Sequence, residues 1–193
     1  MVKIVVVNGM PGSGKTTFEE MCEEICDPFF KVPGFVKGNI LCVDICSTVD
    51  FVKRVARICG WDGTKTLKNR KFLSNLKDLL TEWNDVPFKQ IETRAKARMN
   101  TEAALDWILF VDCREPAEIQ KLKEGLNATT VLIRRPSVEN KETSNHADSE
   151  VFNYDYDLNI YNEYGLDELK ILAENFIEYM KKEEVPHYEP RND

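Results

Sequence analysis

Residues 9–16 read Gly9-Met10-Pro11-Gly12-Ser13-Gly14-Lys15-Thr16, a glycine-rich run closed by a lysine and a hydroxyl. It fits the pattern G-x-x-x-x-G-K-[ST] without a mismatch. A triphosphate is a dense anion, and residues without a Cβ let a loop turn several backbone N–H groups toward it at close range. Gly9, Gly12 and Gly14 serve that purpose, with Ser13 and Thr17 in the same stretch. Lys15 supplies a point charge for the β- and γ-phosphates and Thr16 a hydroxyl for Mg²⁺, while a helix beginning there adds its positive N-terminal dipole. ATP and Mg²⁺ are the expected cofactors, held by Gly9, Gly12, Ser13, Gly14, Lys15, Thr16 and Thr17.

Such a loop works only between a strand and a helix, and both are legible. Residues 2–8 (VKIVVVN) form a short β-branched apolar run of the kind a buried parallel strand requires. From Phe18 onward, Phe18, Met21, Cys22, Ile25 and Cys26 recur at helical spacing. A glycine turn spelling the motif by accident would need neither neighbour.

Residues 40–45 (ILCVDI) read as a second buried strand, with Asp44 near its C-terminal end, where open α/β sheets place their ligands. Ser47-Thr48-Val49-Asp50 has capping-box spacing, so a helix is expected over 48–59, and two more helical patterns follow over 68–83 and 87–104. With no strand between them, these three helices are expected to form a flap over 48–104, projecting above the C-terminal edge of the sheet. Its cations, Lys53, Arg57, Arg70 and Lys71, either grip an anionic substrate or solvate helix faces; Asp44, Lys53 and Arg70 are the substrate candidates.

Residues 107–111 (WILFV) read as a third strand ending at Asp112, which either orients Mg²⁺ from the Walker-B position or caps the helix expected over 116–125. With the glycine loop present, the metal reading is favoured, so Thr16 and Asp112 are the metal candidates. Residues 129–134 (TTVLIR) form a fourth strand. Arg134 and Arg135 then open a polar lid-like loop over 135–155 that contains His146. A short fifth strand over 156–161, a turn at Asn162–Gly165 and a final helix over 166–182 complete the chain, and the tail beyond Val185 shows no core pattern.

With 193 residues, 42% of them hydrophobic, the chain suits one α/β domain spanning 1–193. A net charge of −7 without any basic block argues against nucleic acid as a partner. The N-terminal apolar run is about six residues and no stretch approaches membrane-span length, so neither a secretory leader nor a membrane partner is expected, and the location is expected to be cytoplasmic. The six cysteines occupy positions of small core residues, and the two C-x₃-C spacings lack a downstream Cys or His pair, so neither disulfides nor zinc is expected.

With the motifs placed, the chain resembles the P-loop nucleoside monophosphate kinases, most closely the phage-type deoxynucleoside monophosphate kinases. The shared features beyond the glycine loop are Phe51-Val52-Lys53, Asp112-Cys113-Arg114, Arg134-Arg135-Pro136, His146 with Ser149-Glu150, and Asn162 with Gly165-Leu166. The family's F-x-x-P-L-K-like proline is missing, and 64–88 contain no motif that reads a substrate. The resemblance implies phosphate contacts for Arg114, Arg134 and Arg135, which with Lys15 are the catalytic candidates, and a place near the donor base for Asn162. The expected fold is a three-layer P-loop NTPase sandwich with a five-stranded parallel sheet in the order 2-3-1-4-5. The expected activity is ATP-dependent phosphoryl transfer to a small phosphorylated acceptor, above all a (deoxy)nucleoside monophosphate. The alternatives are an ATP-hydrolysing regulatory module and a kinase of a non-nucleotide small molecule. Asn140-Lys141-Glu142-Thr143 approaches the guanine-reading N-K-x-D but lacks its acid, which weighs against a GTP switch.

Overall fold

The computed structural model describes residues 1–26, 40–100, 105–139, 150–182 and 184–190. The connection expected over 27–38, the N-K-x-D-like segment, His146 and Ser149 lie outside the described residues. Strand β1 (Val2–Asn8) is buried along its whole length because it stands at the centre of the sheet. On one side it pairs with β3 (Leu105–Asp112), from Val2↔Trp107 to Val7↔Asp112; on the other it pairs with β4 (Thr129–Arg134), from Val5↔Thr129 to Asn8↔Leu132. Strand β2 (Ile40–Ser47) flanks β3 and β5 (Leu158–Tyr161) flanks β4, giving an all-parallel sheet in the order β2-β3-β1-β4-β5. That is the order expected from the sequence.

The period of two along β1 sends its side chains into two separate cores. Val2, Ile4 and Val6 meet Ile91 and Ala95 of α4 (Val86–Met99) and Ile119, Leu122 and Leu126 of α5 (Pro116–Leu126). Val5 and Val7 meet Phe18 and Cys22 of α1 (Lys15–Cys26) and Leu169, Ala173, Phe176 and Ile177 of the last helix, α7 (Leu166–Met180). Helices therefore cover both faces of the sheet. Lys3 shares the second face yet is 3% exposed. Its Nζ donates to the Met180 carbonyl at 2.6 Å and the Lys182 carbonyl at 2.5 Å, so the ammonium satisfies backbone acceptors that the end of α7 leaves open.

The helical insertion differs from the expected three-helix flap. Helix α4 buries Pro87, Ile91 and Ala95 against the sheet and so serves as the crossover layer that parallel strands β2 and β3 require. Helix α2 (Asp50–Ile58) buries Val52 and Ala56, while α3 (Leu67–Asn84) buries none of its residues and packs on α2 and α4. Only half of the expected capping box forms. Asp50 Oδ2 accepts from the Ser47 N–H at 2.8 Å, while Ser47 Oγ instead accepts from the Val49 N–H and donates to the Asp112 carbonyl.

Two further boundaries and one cysteine depart from the sequence reading. Within the expected lid, α6 (Pro136–Glu139) makes one turn, and beyond it Val151 and Tyr156 are buried in the first core, so that side of the segment is docked on the domain. The tail is tied down: Val185 and Tyr188 are buried, and the Tyr188 N–H donates to the Val2 carbonyl at 2.8 Å, closing the lower edge of β1. Cys22, Cys26, Cys46 and Cys113 are core residues, but Cys59, at the end of α2, is exposed.

Candidate phosphate-binding site

The glycine loop rises from the C-terminal end of β1 and feeds into α1, so its backbone N–H groups and the first turn of that helix converge on one point. Gly12 and Gly14 have φ values of 81° and 99°, which side chains disfavour. At Gly14 there is also no room: a Cβ would come within 2.5 Å of the Asn162 amide nitrogen. The Asn162 side chain donates to the Ser13 carbonyl at 2.9 Å, and its backbone N–H to the Arg134 carbonyl. Asn162 thus braces the loop from behind. Asn8 braces it from below, accepting the Gly9 N–H at 2.8 Å and donating to the Tyr156 hydroxyl at 2.7 Å and the Arg114 carbonyl at 3.3 Å. Burial pushes the Tyr156 phenol up to about 12, against the Asn8 bond that lowers it.

Lys15 lies across this loop, its Nζ donating to the carbonyls of Gly9 at 2.6 Å and Met10 at 3.2 Å. Thr16 is exposed and Thr17 half-buried. Arg135 reaches the loop from the other side, donating to the Gly12 carbonyl at 3.4 Å. Asp112 ends the neighbouring strand level with Val7, two residues before the loop begins. Its carboxyl is raised above the ordinary range by burial and by Asp50, while Lys15, Arg114 and Lys53 pull it down. Lys15, Lys53, Asp112, Arg114 and Arg135, expected from the sequence, are therefore brought to one end of the sheet.

Other expected residues are placed elsewhere. Strand β2 runs to Ser47, so Asp44 stands three residues before its end and turns under α4. There it accepts from Arg94 Nε at 2.8 Å, from Arg94 Nη2, and from Arg98 Nε at 2.8 Å. Burial alone would raise its carboxyl, but the two guanidiniums hold it below the usual range. Arg134 is clamped by Glu139 at 2.6 and 3.0 Å and lies over the rings of Phe152 and Tyr161. Arg70 is exposed on α3, donating to the Lys65 carbonyl. Glu118, four residues beyond Arg114, pairs with Lys77 at 2.7 Å.

Sequence reasoning missed Asn8, Tyr156 and, above all, Glu19. Glu19 is not among the apolar residues at helical spacing along α1, yet it is 1% exposed and its carboxyl is pushed up to about 8, by burial and then by the charge of Asp112. The sole hint was position: Glu19 adjoins Phe18 and precedes Cys22 by three, inside the buried stripe.

The residues present fit a phosphate and a divalent cation. The loop holds Gly12 and Gly14 at positive φ, which turns backbone N–H groups outward, Ser13 Oγ and Glu19 Oε1 are buried without a hydrogen-bond partner among the described residues, and the donors are hard oxygens suited to Mg²⁺. Among the described residues, no helix is long and apolar enough to cross a membrane.

No protein-family model and no curated protein matches the chain. Among solved structures, an unliganded sugar kinase from Janibacter sp. HTCC2649 is similar, with 15% identity over 92% of this chain and 95% of that one and a TM-score of 0.45. A likeness that distant carries no argument about activity. What stands is the class: an all-parallel α/β domain with sheet order 2-3-1-4-5 and helices on both faces.

Proposed function

We propose that the chain binds ATP with Mg²⁺ at residues 9–17 and transfers the γ-phosphoryl group to a small phosphorylated acceptor, most simply a (deoxy)nucleoside monophosphate. The observation that carries this reading is the convergence of Lys15, Asp112, Arg114 and Lys53 at the end of the sheet where the loop opens into α1. The bound nucleotide supplies the phosphoryl group and the cation neutralises its charge. The work left to the protein is positioning and electrostatics.

Each residue then has a task. The N–H groups of the loop and the start of α1 hold the donor phosphates. Lys15, released from the Gly9 and Met10 carbonyls, places its charge on the oxygens where negative charge grows. Thr16 and Asp112 would hold the cation. An acceptor phosphate is ionised near neutral pH, so no general base has to be supplied. Arg114 and Arg135 offer guanidinium forks to the approaching anions, a bidentate geometry that lysine does not reproduce. Lys53, opposite Asp50 at 3.7 Å, is a substrate-side cation whose charge reaches Asp112.

A regulatory ATPase is the second reading, favoured by the exposed apolar side chains of α3, where Leu79 is 62% and Trp83 81% exposed. A panel of nucleoside and deoxynucleoside monophosphates, assayed for ATP-dependent diphosphate formation, separates the two. The kinase reading expects at least one acceptor to accelerate turnover. It also expects Arg114→Lys to leave ATP binding nearly unchanged while cutting acceptor-dependent turnover about tenfold or more, ~1.4 kcal/mol of transition-state stabilisation. Hydrolysis at one rate with every acceptor, unaltered by Arg114→Lys, favours the regulatory module.

A further inference from the structure

Glu19 has no task in that scheme, and its surroundings ask for one. It is 1% exposed and Oε1 finds no hydrogen-bond partner among the described residues. An unsatisfied buried carboxylate is costly, and the other buried positions of α1, Phe18, Cys22 and Cys26, show that an apolar side chain would suit this face. A catalytic role or a bound ion is among the reasons such a group persists.

Its position says which function. Glu19 follows Thr16 by three residues and Lys15 by four, so all three share one face of α1. Across from that face stands the end of β3, and the charge of Asp112 reaches Glu19 while that of Lys15 opposes it. Two carboxylates are thus held on facing elements below the loop, and no hydrogen bond between described residues ties one cation to both. A divalent cation resolves this arrangement, since it compensates two carboxylates at once and Oε1 has a lone pair to spend on it or on its bound water.

We propose that Glu19 and Asp112, with the Thr16 hydroxyl, form a divalent-cation site, so that the chain has an affinity for Mg²⁺ or Mn²⁺ before any nucleotide binds. Among the described residues, no three His, Cys, Asp or Glu side chains form a ready metal cluster. Two carboxylates and one hydroxyl leave several coordination positions open, as Mg²⁺ prefers, for waters or phosphate oxygens. The inference rests on the proposed nucleotide site for the place of the cation, but not for its binding.

Titration of the nucleotide-free protein with Mn²⁺, followed by the loss of the free-ion EPR signal, tests it. Saturable binding of one Mn²⁺ is expected. Glu19→Gln, which keeps the shape of the side chain, and Asp112→Asn should each weaken it about tenfold or more. Lys15→Ala should retain Mn²⁺ binding, because it removes a cation and not a ligand. Circular dichroism confirms that each variant is folded, and the wild-type titration stands whatever the variants do. Absence of saturable Mn²⁺ binding by the wild type overturns the proposal, as does a folded Glu19→Gln that binds Mn²⁺ like the wild type. A parallel titration with an ATP analogue keeps the two readings apart. Mn²⁺ binding through Glu19 in a protein that takes no nucleotide supports the cation site and removes the kinase; nucleotide binding with Mn²⁺ indifferent to Glu19 does the reverse.

Discussion

Asp44 and Asp112 look alike in the sequence, each an aspartate at the end of a short apolar run, and the fold gives them opposite surroundings. Asp44 lies under α4 with Arg94 and Arg98 on its oxygens, and its carboxyl is held low. Asp112 lies at the mouth of the sheet with Glu19 behind it and Lys15 in front, and its carboxyl is held high. In the first, two guanidiniums more than balance one carboxylate, a strut fixing α4 to β2. In the second, negative charge is concentrated where the described residues leave it undercompensated. A buried carboxylate with its counter-charges hydrogen-bonded to it is structural, as at Asp44; one whose nearby cations, here Lys15, Arg114 and Lys53, do not lower it to the ordinary range is a candidate for something that arrives later.

The largest effect that would sharpen this contrast belongs to the charge in front of Asp112. Lys15→Ala should cut turnover about a thousandfold, ~4 kcal/mol, while the thermal midpoint stays near that of the wild type, because Lys15 fills no core space. Turnover within a factor of two of the wild type would end the assignment of the loop.

The pH dependence of stability should differ in sign between the two sites. Glu19 is raised to about 8 in the folded chain, so the folded state holds a proton that the unfolded chain has already released. In metal-free buffer, stability should therefore fall by a few kcal/mol as pH rises from the ordinary glutamate range to about 8, then level off. Glu19→Gln should abolish that decline, and urea unfolding at several pH values measures it. Asp44, held low, contributes in the other direction: its stabilisation is present above the ordinary aspartate range and is lost as pH falls through its folded value.

Next in size is the strut itself. Asp44→Asn leaves two guanidiniums facing a neutral amide and should cost about 1–3 kcal/mol, less than a fully buried pair because both arginines are partly solvated. Asp112→Asn, which removes a carboxylate whose charged form burial disfavours, should cost nothing or stabilise the metal-free protein. Equal losses for the two asparagine variants in chemical denaturation would break the comparison. The smallest effect is expected at Arg70, exposed on α3, where Arg70→Ala should change stability by less than about 0.5 kcal/mol. An unchanged KM for the acceptor in that variant would remove Arg70 from the substrate candidates.

The sequence by itself determined the frame. The run VKIVVVN is apolar on both of its faces, as a central parallel strand must be, and the G-x-x-x-x-G-K-[ST] loop that follows sits between a strand and a helix, the order that the proposed phosphate site requires. Five strands and the C-terminal position of Asp112 followed from local pattern because period and turn chemistry are encoded within a few residues; the order of the strands was an expectation from the family resemblance, since no local period encodes which strands pair. Tertiary structure decided everything that depends on what stands across from a side chain. Whether α4 is a flap or a layer was set by the sheet face that Ile91 and Ala95 cover, which no local period reveals. Arg94 and Arg98, fifty and fifty-four residues beyond Asp44, made a strut of a substrate candidate. Asn162, 149 residues from Ser13, became a brace behind the loop. Glu19 was hidden for the same reason: burial and charge are sums over neighbours in space, and its neighbour Asp112 lies more than ninety residues away along the chain.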